Sequence, residues 1–215
     1  MDQFFSPQKN GGYYVDDPLQ NFVDEFEKTA DGTYDPRLDY TVGRAHRLWV
    51  NGELFDPTWS PTGYLQRKNV QPIKQAPIVG NAGLNYVYMR YADVLLFKAE
   101  ALNELGRGSE ALVPLNQVHD RARNAYSKDS IPEPTMLPPV TTTLQTELRA
   151  AIRHERRVEL GFEFHRYFDL MRYTATPDGL VYTNASLAGT AFTVDKNRYF
   201  LIPQSELDTN PAITP

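Results

Sequence analysis

Two glutamates one helical turn apart, Glu155 and Glu159, are the pair in this chain whose type and spacing best suit acid–base chemistry. On a helical wheel that starts at Leu144, Glu155 falls within the apolar stripe of its helix. Burial raises the pKa of a carboxyl group towards a range that is useful for proton transfer. Glycoside hydrolysis requires a second carboxylate about 5 to 9 Å away, and Glu159 is spaced to supply it. A glycoside hydrolase is therefore one hypothesis.

The segment around these glutamates, AIRHERRVELGFEFHRYFDLMRY at residues 151–173, also favours a purely structural role. An unpaired buried charge costs on the order of several kcal/mol, so a carboxylate on an apolar face must be neutralised or paired. The segment itself offers five candidate partners: Arg153, Arg156, Arg157, Arg166 and Arg172. We favour this interpretation and assign no catalytic residue. The predicted ion-pair network contains Glu155, Arg156, Glu159, Asp169 and Arg172, of which the last two form a local i,i+3 pair.

Other reaction chemistry has little support in the sequence. The four histidines (His46, His119, His154 and His165) form no i,i+4 pair and no HExxH motif, so we predict no metal site. No serine lies in a GxSxG motif and no glycine-rich phosphate loop occurs, so we predict neither nucleophilic catalysis nor a cofactor. Asp31 and Asp35 have part of the spacing of a calcium loop, but the other ligand positions are missing, and a turn is predicted.

Aromatic residues outside any helical stripe suggest a different chemistry, the binding of sugars. The apolar faces of sugar rings stack on indole and phenol rings, and their hydroxyl groups need polar partners nearby. The first third of the chain offers both kinds of group. The glycan-binding candidates are Trp49, Trp59, Tyr13, Tyr14, Tyr64 and Asn51. The alternative is that these aromatic rings pack between the loops and the helices.

Composition limits the class of protein. The chain has 215 residues, of which 41% are hydrophobic, enough to bury a sizeable core. A net charge of −5 and the lack of a basic groove argue against a nucleic-acid partner. No cysteine is present, which excludes disulfides and thiol chemistry. We find neither a transmembrane stretch nor a signal peptide in the sequence.

The elements that must position these residues are mainly helical. We predict a loop-rich aromatic region over 1–84, with one short helix from Leu19 to Lys28 and a hairpin turn at Asn51-Gly52. Residues 85–215 form a helical region. It begins with a tetratricopeptide-like helical hairpin, in which Gly106 ends the first helix and Ser109 caps the second.

The rest of the predicted helical region follows this hairpin. A surface loop over 127–142 precedes the charged helix, which begins near Leu144 and ends by Tyr173. After a polar loop, we predict short strands around 190–194 and 199–202. The fold class is therefore mainly α, with a packed C-terminal helix, long ordered loops and a few short strands.

Three blocks, taken in order, resemble the C-terminal half of the SusD/RagB family of surface glycan-binding lipoproteins. They are RYADVLLFKAEALNELG, ERRVELGFEFHRYFDLMRY and RYFLIPQSELDTNP, and the segments DPLQNFVDEFE and DPRLDYTV agree with what precedes them in that family. The resemblance implies a helical fold with tetratricopeptide-like hairpins and no catalysis. It also implies attachment to the outer face of the outer membrane, a glycan ligand, and a TonB-dependent, SusC-like transporter as partner.

The chain departs from the family in length and at its start. Members of the family are much longer and begin with a lipoprotein signal whose cysteine is acylated, whereas this sequence starts at Met1 and has no cysteine. We therefore expect it to be a C-terminal portion of a longer, lipid-anchored protein. A tetratricopeptide-like adaptor for protein segments is the remaining alternative, although only one convincing hairpin is predicted.

Overall fold

The computed structural model describes residues 2–75, 83–125 and 137–213. It is mainly helical, as predicted, and it divides into two compact units, Met1–Phe164 and His165–Pro215. No helix among the described residues is long and apolar enough to cross a membrane.

The predicted helical hairpin forms the largest part of the core. Helix α4 spans Tyr91–Glu104 and helix α5 spans Gly108–Asn124. Gly106 has φ +72°, and the N–H of Arg107 donates to the carbonyl of Leu102 at 2.9 Å, as in a Schellman motif. The predicted cap was wrong: α5 starts at Gly108, so Ser109 already lies inside its first turn, and no side chain caps the helix. Core residues from both helices are Leu95, Leu96, Ala99, Leu102, Ala111, Leu115 and Val118.

The charged helix is two helices rather than one. Helix α6 spans Gln145–Glu159 and packs Leu148 and Ile152 into the same core, whereas Leu144 lies before it and is exposed. The chain then turns through residues 160–165 with left-handed backbone at Phe162 (φ +61°) and Phe164 (φ +63°). These conformations interrupt the helical period. Helix α7, Arg166–Tyr173, follows in the second unit.

Short elements dominate the region before the hairpin. Its helices are α1 (Asp2–Phe5), α2 (Gln20–Val23) and α3 (Arg37–Thr41), with 3₁₀ turns at Gln8–Asn10, Pro57–Trp59 and Ile73–Gln75. Helix α2 is shorter than the predicted Leu19–Lys28, because the chain turns after Val23 and Lys28 pairs with Tyr34 in an antiparallel bridge. The three apolar residues that recur at helical spacing in this segment, Phe22, Val23 and Phe26, are nevertheless buried. They pack with Leu38, Val42 and Val158.

Strand pairing in this region is limited but includes the predicted hairpin. Strand β1, Val42–Gly43, runs antiparallel to β2, Leu65–Gln66. The Asn51-Gly52 turn is confirmed, since Leu48 bridges Leu54 across it and Gly52 has φ +82°. The predicted turn at Asp31 also forms, and its carboxylate accepts a hydrogen bond from the Thr33 N–H at 3.0 Å.

The second unit differs from the prediction. Helix α8, Gly179–Ser186, occupies part of the predicted polar loop and contacts α7. The two strands predicted around 190–194 and 199–202 are absent from this described part of the chain. Helix α9, Val194–Asn197, and helix α10, Gln204–Thr209, lie there instead, with irregular backbone between them. Most of the loop predicted over 127–142 lies outside the described residues.

Candidate functional site

The carboxylate of Glu155 lies at the centre of a buried ion-pair network. Its side chain is only 1% exposed, and helix α6 aims it at α3 and α5. Arg37 at the start of α3 donates from Nη1 to Glu155 Oε1 at 2.5 Å. His119 on α5 lies on the other side, with its Nε2 2.7 Å from Glu155 Oε2. Three segments that are distant in sequence therefore meet at this carboxylate.

One helical turn on, Glu159 extends the network. Arg37 Nη1 contacts its Oε2 at 3.0 Å, Arg90 Nη1 contacts its Oε1 at 2.5 Å, and Arg121 also binds it. Arg90 reaches Glu163 as well, with Nε 2.7 Å from Oε2. The two glutamates are thus held by cations from outside their own helix.

A third carboxylate, that of Asp35, completes the coordination of Arg37. The Arg37 Nη2 donates to Asp35 Oδ2 at 2.7 Å, and Nε donates to Oδ1 at 3.0 Å. A guanidinium with two parallel bonds to one carboxylate is geometrically well defined. Asp35, which the sequence analysis assigned only to a turn, is therefore part of this network.

The predicted network is only partly the observed one. Arg156 points away from Glu155 and pairs with Asp93 of α4, with Nη1 2.8 Å from Oδ1. Asp169 and Arg172 form the predicted local pair at 2.9 Å, but they belong to the second unit. The two cations seen on Glu155, Arg37 and His119, come from outside residues 151–173. Neighbours at i+1 and i+2 face other sides of a helix, which favours such distant partners.

The electrostatics of Glu155 contradict its use as a general acid. Burial by itself raises the pKa of this carboxyl, but the charge of Arg37 and the hydrogen bond from His119 outweigh it and lower the pKa to about 2. Burial likewise opposes ionisation of Glu159, whereas Arg90, Arg121 and Arg37 lower its pKa. Both side chains are buried against arginines in the described part of the chain, whereas hydrolysis requires carboxylates that face an open cleft. The hydrolase hypothesis built on this pair is therefore rejected.

Among the glycan-binding candidates, Trp49 is a core residue. It is 1% exposed and packs with Phe5, Phe55, Leu65 and Val70. Its rings present no face to a ligand in this position, so the stacking role that we predicted for it does not fit the structure. The alternative, packing of aromatic rings beneath the loops, describes Trp49 correctly.

Trp59 lies at the edge of the same cluster and remains partly accessible. Its ring centroid is 5.1 Å from that of Phe55 and 6.4 Å from that of Trp49. On the solvent side, Lys9 Nζ lies 3.7 Å from the indole centroid and 2.7 Å from the Oε2 atom of Glu53. The sequence contained no signal for Lys9 or Glu53, because they are 44 residues apart.

The remaining candidates lie at different positions. Tyr13 is 57% exposed beside Phe4, whereas Tyr14 is half-buried against the cluster that holds Trp49 and Trp59. Tyr64 packs against a separate cluster and donates its hydroxyl to Gln20 Oε1 at 2.6 Å. Asn51 is exposed in the hairpin turn. We call Trp59, Lys9 and Glu53 the indole site.

Gly43 on β1 leaves the space that the tryptophan cluster fills. A Cβ atom at this position would lie 2.5 Å from Cζ3 of Trp49 and 2.9 Å from Cε2 of Phe55. We expect Gly43→Ala to lower the free energy of unfolding by about 1–3 kcal/mol, the usual cost of overpacking a core. Urea denaturation followed by circular dichroism measures it. Gly83→Ala is the control, since nothing lies within 4 Å of its added Cβ; equal stability of the two variants would contradict the prediction.

Comparisons with known proteins agree with the helical arrangement. Residues 3–214 match the SusD family. The SusD-like proteins P2 and P38 of Formosa agariphila are 42% and 41% identical over 107 and 89 residues, which are 46% and 41% of this chain. These alignments cover 20% and 17% of the relatives' own lengths.

Solved structures show the same fold. A SusD superfamily protein from Bacteroides vulgatus is 25% identical, with a TM-score of 0.75 over all of this chain and 46% of its own. A SusD homolog from Bacteroides thetaiotaomicron is 29% identical, with a TM-score of 0.52 over 81% of this chain and 39% of its own. The chain thus spans less than half of these proteins. The family match extends over residues 3–214 and the structural match over the whole chain, so this chain belongs to the SusD family.

Proposed function

We propose that this protein binds an oligosaccharide or polysaccharide without cleaving it. The observation that carries the proposal is the match to the SusD family over residues 3–214, nearly the whole chain. Burial of Glu155 and Glu159 in ion pairs supports it further, because it removes the acid–base pair that the sequence suggested.

The indole site is the most suitable contact for a sugar ring among the predicted aromatic candidates. Trp59 combines a partly accessible indole with polar groups on its rim: the carboxylates of Glu53 and Asp56 accept hydrogen bonds from hydroxyl groups, and Lys9 donates them. Tyr13 remains a second stacking candidate because it is exposed. Large aromatic rings with a polar rim are typical of binding hot spots.

The setting of this binding is also part of the proposal. Family membership supports a role at the bacterial cell surface, where a lipid-anchored form of the protein holds the glycan for import. The partner in that step is a TonB-dependent, SusC-like outer-membrane transporter. Co-purification of the full-length protein with such a transporter from outer membranes tests the partnership, and its recovery in the cytosolic fraction alone would contradict the location.

Replacing Trp59 by alanine tests the binding site. We expect Trp59→Ala to lower the affinity for the glycan roughly thirtyfold, or by about 2 kcal/mol, as for other truncated aromatic hot spots. Affinity electrophoresis measures this change. The gels contain soluble starch, mannan or neutral xylan, and the circular dichroism spectrum checks the fold.

Phe200→Ala is the matched control, because Phe200 is a fully exposed aromatic residue of the second unit. It should migrate like the parent protein in every gel. If Trp59→Ala is also retarded like the parent protein, the indole site does not bind the glycan. If no polysaccharide retards any form of the chain, including the Lys9→Ala variant described below, the proposed binding function is wrong for this portion.

A further inference from the structure

The indole face that a ligand would use is already occupied by a side chain of the protein. Lys9 Nζ lies 3.7 Å from the ring centroid of Trp59, the geometry of a cation–π contact. The indole is also in contact with Phe55 and Trp49 of the buried cluster. Lys9 and Glu53 are on the solvent side, since their side chains are 39% and 41% exposed. The ammonium group therefore lies over a face of the ring that is not packed against the cluster.

A stacked sugar and this ammonium group cannot share the same face. Atoms of a stacked ring lie about 3.5 to 4.0 Å from the surface they contact, which is where Lys9 Nζ now lies. Resting on the proposed glycan binding at Trp59, we infer that Lys9 is an internal competitor for the indole, and that Glu53 holds it in place through their 2.7 Å ion pair. Glycan binding then requires Lys9 to move off the ring.

This competition is weak enough to be reversible. An exposed ion pair and an exposed cation–π contact each contribute little, and together they correspond to a factor of roughly 3 to 10 in affinity. The lysine stem is flexible, so Nζ can leave both the ring and Glu53 and return to solvent. Lys9 therefore tunes the affinity of the site and does not close it.

The charges around the indole indicate which glycans fit. Asp56 caps the 3₁₀ turn that carries Trp59, and hydrogen bonds from Thr58, with a smaller contribution from the charge of Lys9, lower the pKa of its carboxyl. Glu53 and Asp56 together carry more negative charge than Lys9 balances. A uronate would face this excess, so the site favours neutral sugars.

Removal of the Lys9 side chain tests the competition. We expect Lys9→Ala to bind neutral polysaccharides 3 to 10 times more tightly than the parent chain in affinity electrophoresis. Neutral polysaccharides are used so that the lost charge has no long-range effect on the ligand. Lys28→Ala is the matched control, because Lys28 also lies over an aromatic ring, that of Tyr34, at 4.8 Å, but away from the indole site; it should leave retention unchanged.

Two further measurements separate the inference from the proposed function. In the parent chain, added salt should tighten binding because it weakens the Lys9–Glu53 pair, and this effect should vanish in Lys9→Ala. The double variant Lys9→Ala/Trp59→Ala should bind no better than Trp59→Ala.

Each outcome decides between the two ideas. If Trp59→Ala loses binding but Lys9→Ala binds equally or more weakly than the parent, Lys9 is no competitor and the binding function stands. If Trp59→Ala still binds like the parent, the indole site and its competitor are both wrong. Binding that appears only in Lys9→Ala would support both.

Discussion

Replacing Arg37 by methionine should destabilise this chain more than any other single substitution considered. Arg37 is buried and its guanidinium contacts three buried carboxylates, those of Asp35, Glu155 and Glu159. Removing one partner from a buried ion pair typically costs about 3–5 kcal/mol, because the remaining charges are left without compensation. We therefore expect the free energy of unfolding to fall by at least about 3 kcal/mol in urea denaturation followed by circular dichroism.

The matched control is Arg107→Met, which breaks an exposed i,i+3 pair with Glu110. It should leave the urea midpoint unchanged. The double variant Arg37→Met/Glu155→Gln should lose less stability than the two single variants added together, because both act on one network. Equal stability of Arg37→Met and Arg107→Met would show that the network contributes nothing measurable.

The same network should give the chain a stability maximum in mildly acidic solution. The pKa of Glu155 is about 2 in the folded chain against an ordinary 4.5, and at about 1.36 kcal/mol per unit this corresponds to about 3 kcal/mol. The folded state binds fewer protons here, so this contribution is complete above pH 4.5 and is lost as the pH falls towards 2. The loss of this contribution is measured as a fall in the midpoint of urea denaturation, determined at about one-unit intervals of pH from 9 down to 3.

His119 determines the decline of stability on the alkaline side of the maximum, because its pKa shifts in the opposite direction. Burial lowers its pKa, but the hydrogen bond and charge of Glu155 outweigh burial and raise the pKa above the ordinary 6.5. Its contribution is therefore complete below pH 6.5 and is lost as the pH rises through the folded-state pKa. The network stabilises most between about pH 4.5 and 6.5. His119→Gln should remove the decline on the alkaline side, and a parent midpoint that keeps rising to pH 8 would contradict this assignment.

Helix periodicity made the core of this protein predictable. Apolar residues at helical spacing, among them Leu96, Ala99 and Leu115, predict the buried faces of α4 and α5, and all three are buried. The helical wheel likewise placed Glu155 on the buried side of α6. The strands predicted near the C-terminus do not form, because no such periodicity supported them. Residues 199–202 are apolar and β-prone, but no partner strand lies beside them among the described residues, and short apolar runs do not define a strand by themselves.

The partners of the buried charges could not be predicted, because they depend on tertiary packing. Arg37 and His119 reach Glu155 from α3 and α5, and the first of these contacts joins residues 118 apart. Nearby arginines suggested a local network instead, although the helical geometry at i+1 and i+2 already argues against it. Loop aromatics have no period at all, so nothing in the sequence separates the buried Trp49 from the accessible Trp59.

The network around Glu155 also has a consequence for the order in which the chain folds. Helices α4 and α5 are neighbours in sequence, so their contact costs little loop-closure entropy. The contact between Arg37 and Glu155 joins residues 118 apart and costs more. During synthesis the loops of residues 1–75 emerge before the hairpin, whereas the carboxylates of α6 that bind Arg37 emerge after it. We therefore expect the hairpin to form early and the loop region to dock last, so that the tryptophan-bearing loops stay exposed to proteases and chaperones until α6 is complete.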